Sequence, residues 1–214
     1  MYLKFPDLHL QHIMRAKIIE KASDMFLTLG AKSVTMDDIA NELGISKKTI
    51  YVHFKNKTKL VEAVVFEVFE TVCNGIDCVC NTAENPIEEL YQIKVLVMEY
   101  LHKKKASPQY QLKKYYPDIY RRLNLKQFEK MHVSIRESLQ KGINMGLFRP
   151  DLDVDLVSRF YFNGMSGIRD SDYFPHEIFN MEYLMESFLE YHLRAITTEK
   201  GLHILNEHLT SNQS

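Results

Sequence analysis

Tryptophan is absent from the 214 residues, and glycine (8), proline (6) and cysteine (3) are scarce. So little glycine and proline, beside 26% charged and 45% hydrophobic residues, excludes a collagen-like or compositionally disordered chain. Three cysteines, an odd number in a chain of this length, do not make a disulfide framework. Glu, Lys or Asn interrupts every apolar stretch before the ~18 residues a membrane span requires. The opening MYLKFPDLHLQ has no basic segment leading into an apolar run, so no secretory signal is expected. Motifs for common chemistries are missing as well: no GxSxG, P-loop, GxGxxG or HExxH occurs. Cys73, Cys78 and Cys80 lack a second ligand cluster at zinc-finger spacing and read as structural thiols. No enzyme, metal or cofactor is therefore expected, and the chain reads as soluble and cytoplasmic.

What is present is helical periodicity throughout, with no sustained alternation of the β type. Ile18, Ala22, Met25, Phe26 and Leu29 share one stripe over 12–29, and Gly30 is placed to stop that helix. Thr35 with Asp38 forms an N-cap pair opening a short helix that ends at Gly44. Ser46 caps a second short helix running to about Phe54, and Asn56 caps a longer one over 57–79, with a bend expected near Asn74-Gly75. Asn85-Pro86 starts a helix to about Lys105, Ser107-Pro108 a short one, and Pro117 a long one to Gly142. Helices over 153–168, 176–196 and 199–209 complete an all-α chain.

The net charge of −1 conceals an asymmetry. Residues 1–60 carry 10 basic and 6 acidic side chains, and between Glu42 and Glu62 stand five lysines and no acid. A local positive patch on a near-neutral chain points to a polyanionic partner. Within the patch, two short helices meet at a tight glycine turn, the layout of a helix-turn-helix whose second helix enters the DNA major groove. On that second helix Ile50 and Phe54 are an i, i+4 pair facing the core with Ile45. Lys47, Lys48, Tyr51 and Lys55 lie on the other side, flanked by Thr49 and His53. Lys47 and Lys48 in a first helical turn, and Lys57 and Lys59 in the next, oppose the helix dipole. A phosphate backbone reverses the sign of that cost.

The segment TMDDIANELGISKKTIYVHFKNKTKLVEAV, preceded by IIEKASDMFLTLG, resembles the DNA-binding domain of the TetR family of transcriptional regulators. The pattern covers about residues 15–65, with Phe26, Gly30, Thr35, Ile39-Ala40, Gly44-Ile45-Ser46, Tyr51, Phe54, Lys57 and Leu60 in order. GLFRPDLDVDLV further resembles the family's entry into its penultimate core helix. The resemblance implies a helix-turn-helix domain over 1–57 and a helical regulatory and dimerisation domain over 58–214. It matches Thr35, Ser46, Lys47, Lys48, Thr49, Tyr51, His53, Lys55 and Lys57 to positions that commonly contact DNA. Lys48 stands where the family often has a small residue, so a base preference is not carried over. The partners implied are an inverted-repeat operator in double-stranded DNA, a second copy of the chain and a small-molecule effector, with no membrane.

Most Phe, Tyr and Met residues downstream are ordinary core. Those on the middle helices, Phe66, Phe69, Tyr91, Met98, Tyr110, Phe128, His132 and Phe162, are the candidates for lining an effector cavity. With the family resemblance, the last two long helices form a four-helix bundle with their symmetry mates. Gly164, Gly167, Met185, Phe188, Leu189 and His192 are the candidate seam; the same stripe also suits the core of one subunit. A repressor released by a hydrophobic or aromatic effector is the function this implies. The alternatives are a DNA-binding regulator acting through a protein partner without an effector, and a small-molecule-binding helical bundle whose basic patch is incidental.

Overall fold

Turns closed by caps separate ten helices among the residues described by the computed structural model, which are 5–102, 108–170, 172–175 and 177–211. They are α1 Phe5–Leu29, α2 Met36–Leu43, α3 Lys47–His53, α4 Lys57–Thr82, α5 Pro86–His102, α6 Pro108–Tyr115, α7 Pro117–Asn144, α8 Val154–Gly167, α9 Met181–Ile196 and α10 Glu199–Ser211. No β-strand occurs among the described residues; a single bridge joins Phe148 to Thr197. The fold is all-α, an N-terminal helix-turn-helix domain followed by a larger helical region.

Most caps act as their residue types dictate. Asn56 Oδ1 accepts from Lys59 N at 2.9 Å, and Asn85 Oδ1 accepts from Ile87 N and Glu88 N at 3.0 and 3.1 Å. Three boundaries differ from the periodicity. α1 begins at Phe5 rather than near residue 12, and α4 runs unbroken through Asn74-Gly75 to Thr82. A Cβ on Gly75 would lie 2.9 Å from Leu96 Cδ2, so this glycine serves close packing of α4 on α5 instead of a bend. α9 begins at Met181, not 176, because the Asn180 side chain caps it by accepting from Glu182 N at 2.8 Å. Before that cap, Ile178 N and Phe179 N both donate to the Pro175 carbonyl, a turn that leaves Ile178 exposed. The expected extension to Lys105, the Ser107 cap and the start at His176 lie outside the described residues.

The chain packs as two compact units. One comprises residues 1–72 and 100–125, the other 73–99 and 126–214. In the first, a continuous core of Ile18, Ala22, Phe26, Ile39, Ile50, Phe54, Leu60 and Val64 ties the helix-turn-helix to α1 and the first half of α4. Leu112 and Ile119 close that core from α6 and α7. Burial of each Ile or Leu contributes about 1.5–3 kcal/mol relative to exposure. The cut at 57/58 that the resemblance implies differs from this packing division: α4 begins at Lys57, and its residues fall in both packing units.

In the second unit the turn after α7 is strapped to the α9–α10 junction. Arg149 N donates to Ile196 O and Thr198 N to Leu147 O, both at 2.9 Å. Phe148 fills the space over Gly142, where a Cβ would lie 2.1 Å from its ring.

Candidate nucleic-acid interface

The recognition elements are set by three caps and one buried face. Thr35 and Asp38 form the reciprocal box: Thr35 N donates to Asp38 Oδ2 at 2.8 Å and Asp38 N to Thr35 Oγ1 at 3.1 Å. The Thr35 backbone N–H, and after it the Thr35 side chain, hold the Asp38 carboxyl below the usual range. Gly44 ends α2 in the left-handed region at φ 64°, and Ile45 N bonds Ala40 O at 3.0 Å. Ser46 then caps α3, its Oγ accepting from Thr49 N at 3.1 Å and lying 2.8 Å from Thr49 Oγ1.

α3 divides cleanly. Ile50 and the capping Phe54 are buried, and the Arg15 guanidinium lies 5.3 Å over the Phe54 ring. Lys47, Lys48, Tyr51, Val52 and Lys55 are exposed, while Thr49 and His53 are half-buried. The nine predicted contact residues lie between Thr35 and Lys57, and none of them is buried. Their electrostatic states are not equivalent. Lys47 Nζ bonds Asp37 Oδ2 of α2 at 2.6 Å, which raises its pKa and offsets the dipole cost at the start of its own helix α3. Lys57 donates to the Lys32 carbonyl at 2.8 Å, and its partial burial lowers its pKa. Lys59 pairs with Glu62 at 2.7 Å. Lys48 and Lys55 have no ion pair among the described residues, which makes them the unneutralised charges of the face.

Val52 falls outside the charge and hydrogen-bonding pattern, yet at 68% exposure it is the most exposed apolar side chain of α3. Its place next to Tyr51 and one turn after Lys48 is the signal. An exposed Val on such a face can meet a thymine methyl in the major groove.

The effector candidates separate. Phe66, Phe69 and Tyr110 lie in the first unit, with the Arg122 guanidinium 5.1 Å over Phe66 and Lys114 over the exposed Tyr110. Phe128, His132 and Phe162 come together in the second: Phe128 stacks on His132 at 5.3 Å and meets Phe162 edge-on at 5.1 Å. His132 Nε2 is 2.9 Å from Asp155 Oδ1, so this cluster closes on itself. Tyr91 is buried against His208 and Met98 is buried; burial raises the Tyr91 phenol pKa.

A cavity of about 90 Å³ does exist in the second unit, and other residues line it. Its walls are chiefly Ile76, Leu90, Ile93, Met131, Met165 and Leu189, with Tyr161 and Ser134 among the polar groups. Leu90 and Val97 on α5, each next to a candidate, hold the positions assigned to Tyr91 and Met98. Three cations also border it: Lys94, paired with Glu186; Lys130, 2.6 Å from Asp77; and Arg169, whose Nε donates to Met165 O.

The seam candidates mostly turn inward. Met185, Leu189 and His192 are buried by their own chain, the first two lining the cavity. A Cβ on Gly164 would lie 2.2 Å from the Phe188 ring, so that glycine permits α8 to approach α9 within one protomer. Gly167 faces open space. The exposed large apolar residues of these helices are Leu156 and Phe160 on α8 and Tyr183 and Tyr191 on α9. His192 stands among Tyr161 and Phe188, its Nε2 without a hydrogen bond among the described residues, and burial pushes its pKa down to about 4. Cys73 is buried, and burial and then Glu89 push the Cys80 thiol up to about 11, so it stays protonated at neutral pH. No cluster suited to a metal and no helix long and apolar enough to cross a membrane is found among the described residues.

Residues 18–64 match the family model described as bacterial regulatory proteins, tetR family. Over 200 residues the chain is 30% identical to the HTH-type transcriptional repressor KstR2 of Mycolicibacterium smegmatis, covering 87% of this chain and 92% of the relative. Among solved structures it resembles a transcriptional regulator from Cytophaga hutchinsonii at TM-score 0.72 and 19% identity, covering 85% and 97% of the two chains. It also resembles the ketosteroid transcriptional regulator KstR2 of Mycobacterium tuberculosis at TM-score 0.58 and 24% identity, covering 87% and 96%. The matched segment coincides with the capped helices α2 and α3 and the core beneath them, and the chain belongs to the TetR family as a DNA-binding transcriptional repressor.

Proposed function

We propose that the repressor acts in the cytoplasm as a homodimer on an inverted-repeat operator and is released by a small, largely apolar effector. The observation that carries the DNA reading is the division of α3, with Ile50 and Phe54 buried and Lys48, Tyr51, Val52 and Lys55 exposed. One such helix reads one half-site, and two-fold symmetry turns the half-site into an inverted repeat spaced by ~34–36 Å or a multiple. Thr35, Ser46, Thr49, Tyr51, His53 and Lys57 position the protein on phosphates, and Lys48 and Val52 meet base edges. Selection of bound duplexes from a random pool tests this. An inverted repeat is expected; an enriched single or directly repeated site refutes the symmetric arrangement.

For the dimer, the open face of Gly167 with Leu156, Phe160, Tyr183 and Tyr191 is the favoured seam. Residues already buried within one protomer have no apolar surface left to contribute.

The cavity favours an effector over a purely protein-mediated mechanism. Ile76 in its wall belongs to α4, the helix that begins soon after the recognition helix ends. An effector that displaces Ile76 acts on one continuous helix. Coupling of this kind is typically ~1–3 kcal/mol, a roughly 5- to 150-fold change in operator affinity, and it is reciprocal. The effector must therefore bind less tightly when operator is present, and equal affinity in both states refutes regulated release.

A further inference from the structure

The chain has a second lysine-only stretch. Between Glu99 and Asp118 it carries five lysines and no acid, as many as the stretch that contains the recognition helix. Lys103, Lys104 and Lys105 lie outside the described residues. Lys113 and Lys114 stand in the last turn of α6, where they also complement the helix dipole.

α6 is docked on the turn that leads into α2. The Gln111 side chain lies over Gly30, where a Cβ would meet it at 2.4 Å, and its Oε1 accepts from Lys32 N at 3.4 Å. One turn on, the Tyr115 ring receives two ammonium groups, Lys32 Nζ at 4.4 Å and Lys114 Nζ at 5.5 Å from its centroid. Lys114 also donates to the Tyr110 hydroxyl at 3.2 Å. Lys32, Tyr110, Lys114 and Tyr115 are all exposed. Among the described residues neither lysine pairs with a carboxylate; the nearest acid in sequence after α6, Asp118, faces Arg121 at 3.8 Å. Two cations sharing one aromatic ring repel each other, and the ring offsets that only in part. An anion between them removes the repulsion.

This surface is continuous with the recognition face. Lys57, one of the predicted phosphate contacts, donates to the Lys32 carbonyl, so Lys57, Lys32, Tyr115 and Lys114 form an unbroken sequence of contacts. We propose that the Lys32–Tyr115–Lys114 surface extends the DNA interface beyond the recognition helix, taking backbone phosphates that flank each half-site. Tyr110 and Tyr115 supply phenolic hydroxyls to the same phosphates. These contacts add affinity and salt dependence without adding base preference. The assignment rests on the DNA-binding reading of α3 and widens its footprint.

The test uses the full chain and two duplexes carrying the inverted repeat selected by the wild-type protein. One has about a full helical turn of flanking DNA on each side, and the other is trimmed to the repeat. The Lys32→Gln/Lys114→Gln double variant is expected to bind the long duplex about tenfold more weakly or worse. Its slope of log affinity against log salt should be shallower by roughly 0.9 for each phosphate no longer neutralised. On the trimmed duplex the two proteins should converge, and the ratio of selected to scrambled sequence should not change. Arginine at both positions should restore the slope, separating charge from folding. Equal slopes for wild type and double variant on the long duplex would overturn the extension. Lys55→Ala measured in parallel separates the two readings. If it weakens binding while the double variant does not, only the extension fails; if neither Lys55→Ala nor the double variant weakens binding, the DNA reading of α3 fails with it.

Discussion

Replacing His192 with phenylalanine should make the protein's stability less sensitive to mild acid. This histidine is 7% exposed, packed between Tyr161 and Phe188, and its pKa is pushed down to about 4 by burial. In the unfolded chain the same group titrates near 6.5, so the unfolded state binds the extra proton first as pH falls. Stability is therefore full above about pH 6.5, declines as pH falls from there towards 4, and levels off below. Each unit within that window costs ~1.4 kcal/mol, so the loss between about pH 7.5 and pH 5 is about 2 kcal/mol. For a chain of this size that corresponds to a fall in Tm of roughly 4–8 °C. His192→Phe keeps an aromatic ring of similar size and removes the titration. Urea denaturation of both proteins at about pH 7.5, 6 and 5, at one fixed protein concentration, measures the difference. Wild type should lose about 2 kcal/mol more than the variant over this range. Parallel losses in the two proteins would mean that His192 is solvated or charged in the folded state, and the desolvated Tyr161–His192–Phe188 cluster would have to be abandoned.

Tyr51→Phe should weaken operator binding by about 1 kcal/mol with unchanged sequence preference, as measured by titration on operator and on single-base variants. Phe160→Glu, on the exposed face of α8, should give helical monomers with lost operator binding, whereas Phe188→Glu, against Gly164 and Tyr161, should lower stability first; sedimentation and thermal melts distinguish the two. Gly44→Ala meets no neighbour within 4 Å, yet at φ 64° it should destabilise by about 1 kcal/mol through backbone strain alone, read from the urea midpoint. Asp37→Asn should strengthen DNA binding and steepen its salt dependence, because it releases Lys47 from a 2.6 Å ion pair; an unchanged slope would mean Lys47 never meets a phosphate.

The local signals in the sequence determined the helices, their caps and the face α3 turns outward. Those properties depend on neighbours within about four residues: Thr35 with Asp38, Ser46 with Thr49, Ile50 with Phe54. Local information also misled where two readings share one pattern. Ile178 continues the apolar stripe of α9, but the Asn180 cap and the Pro175 turn make the helix start only after it. Tertiary structure alone decided which stripe is buried by its own protomer. α9 carries Met185, Leu189 and His192 on one side and Tyr183 and Tyr191 on another, and periodicity cannot say which neighbour covers each. The cavity was equally invisible, because a void is defined by side chains from α4, α5, α7, α8 and α9 that fail to meet, not by any one of them. So was the charge state of the DNA face: Lys47 is neutralised by Asp37, a helix away, while Lys32 is drawn to Tyr115 from a distant part of the chain. Coulomb and packing forces act through space, and sequence distance carries no record of them until the chain has folded.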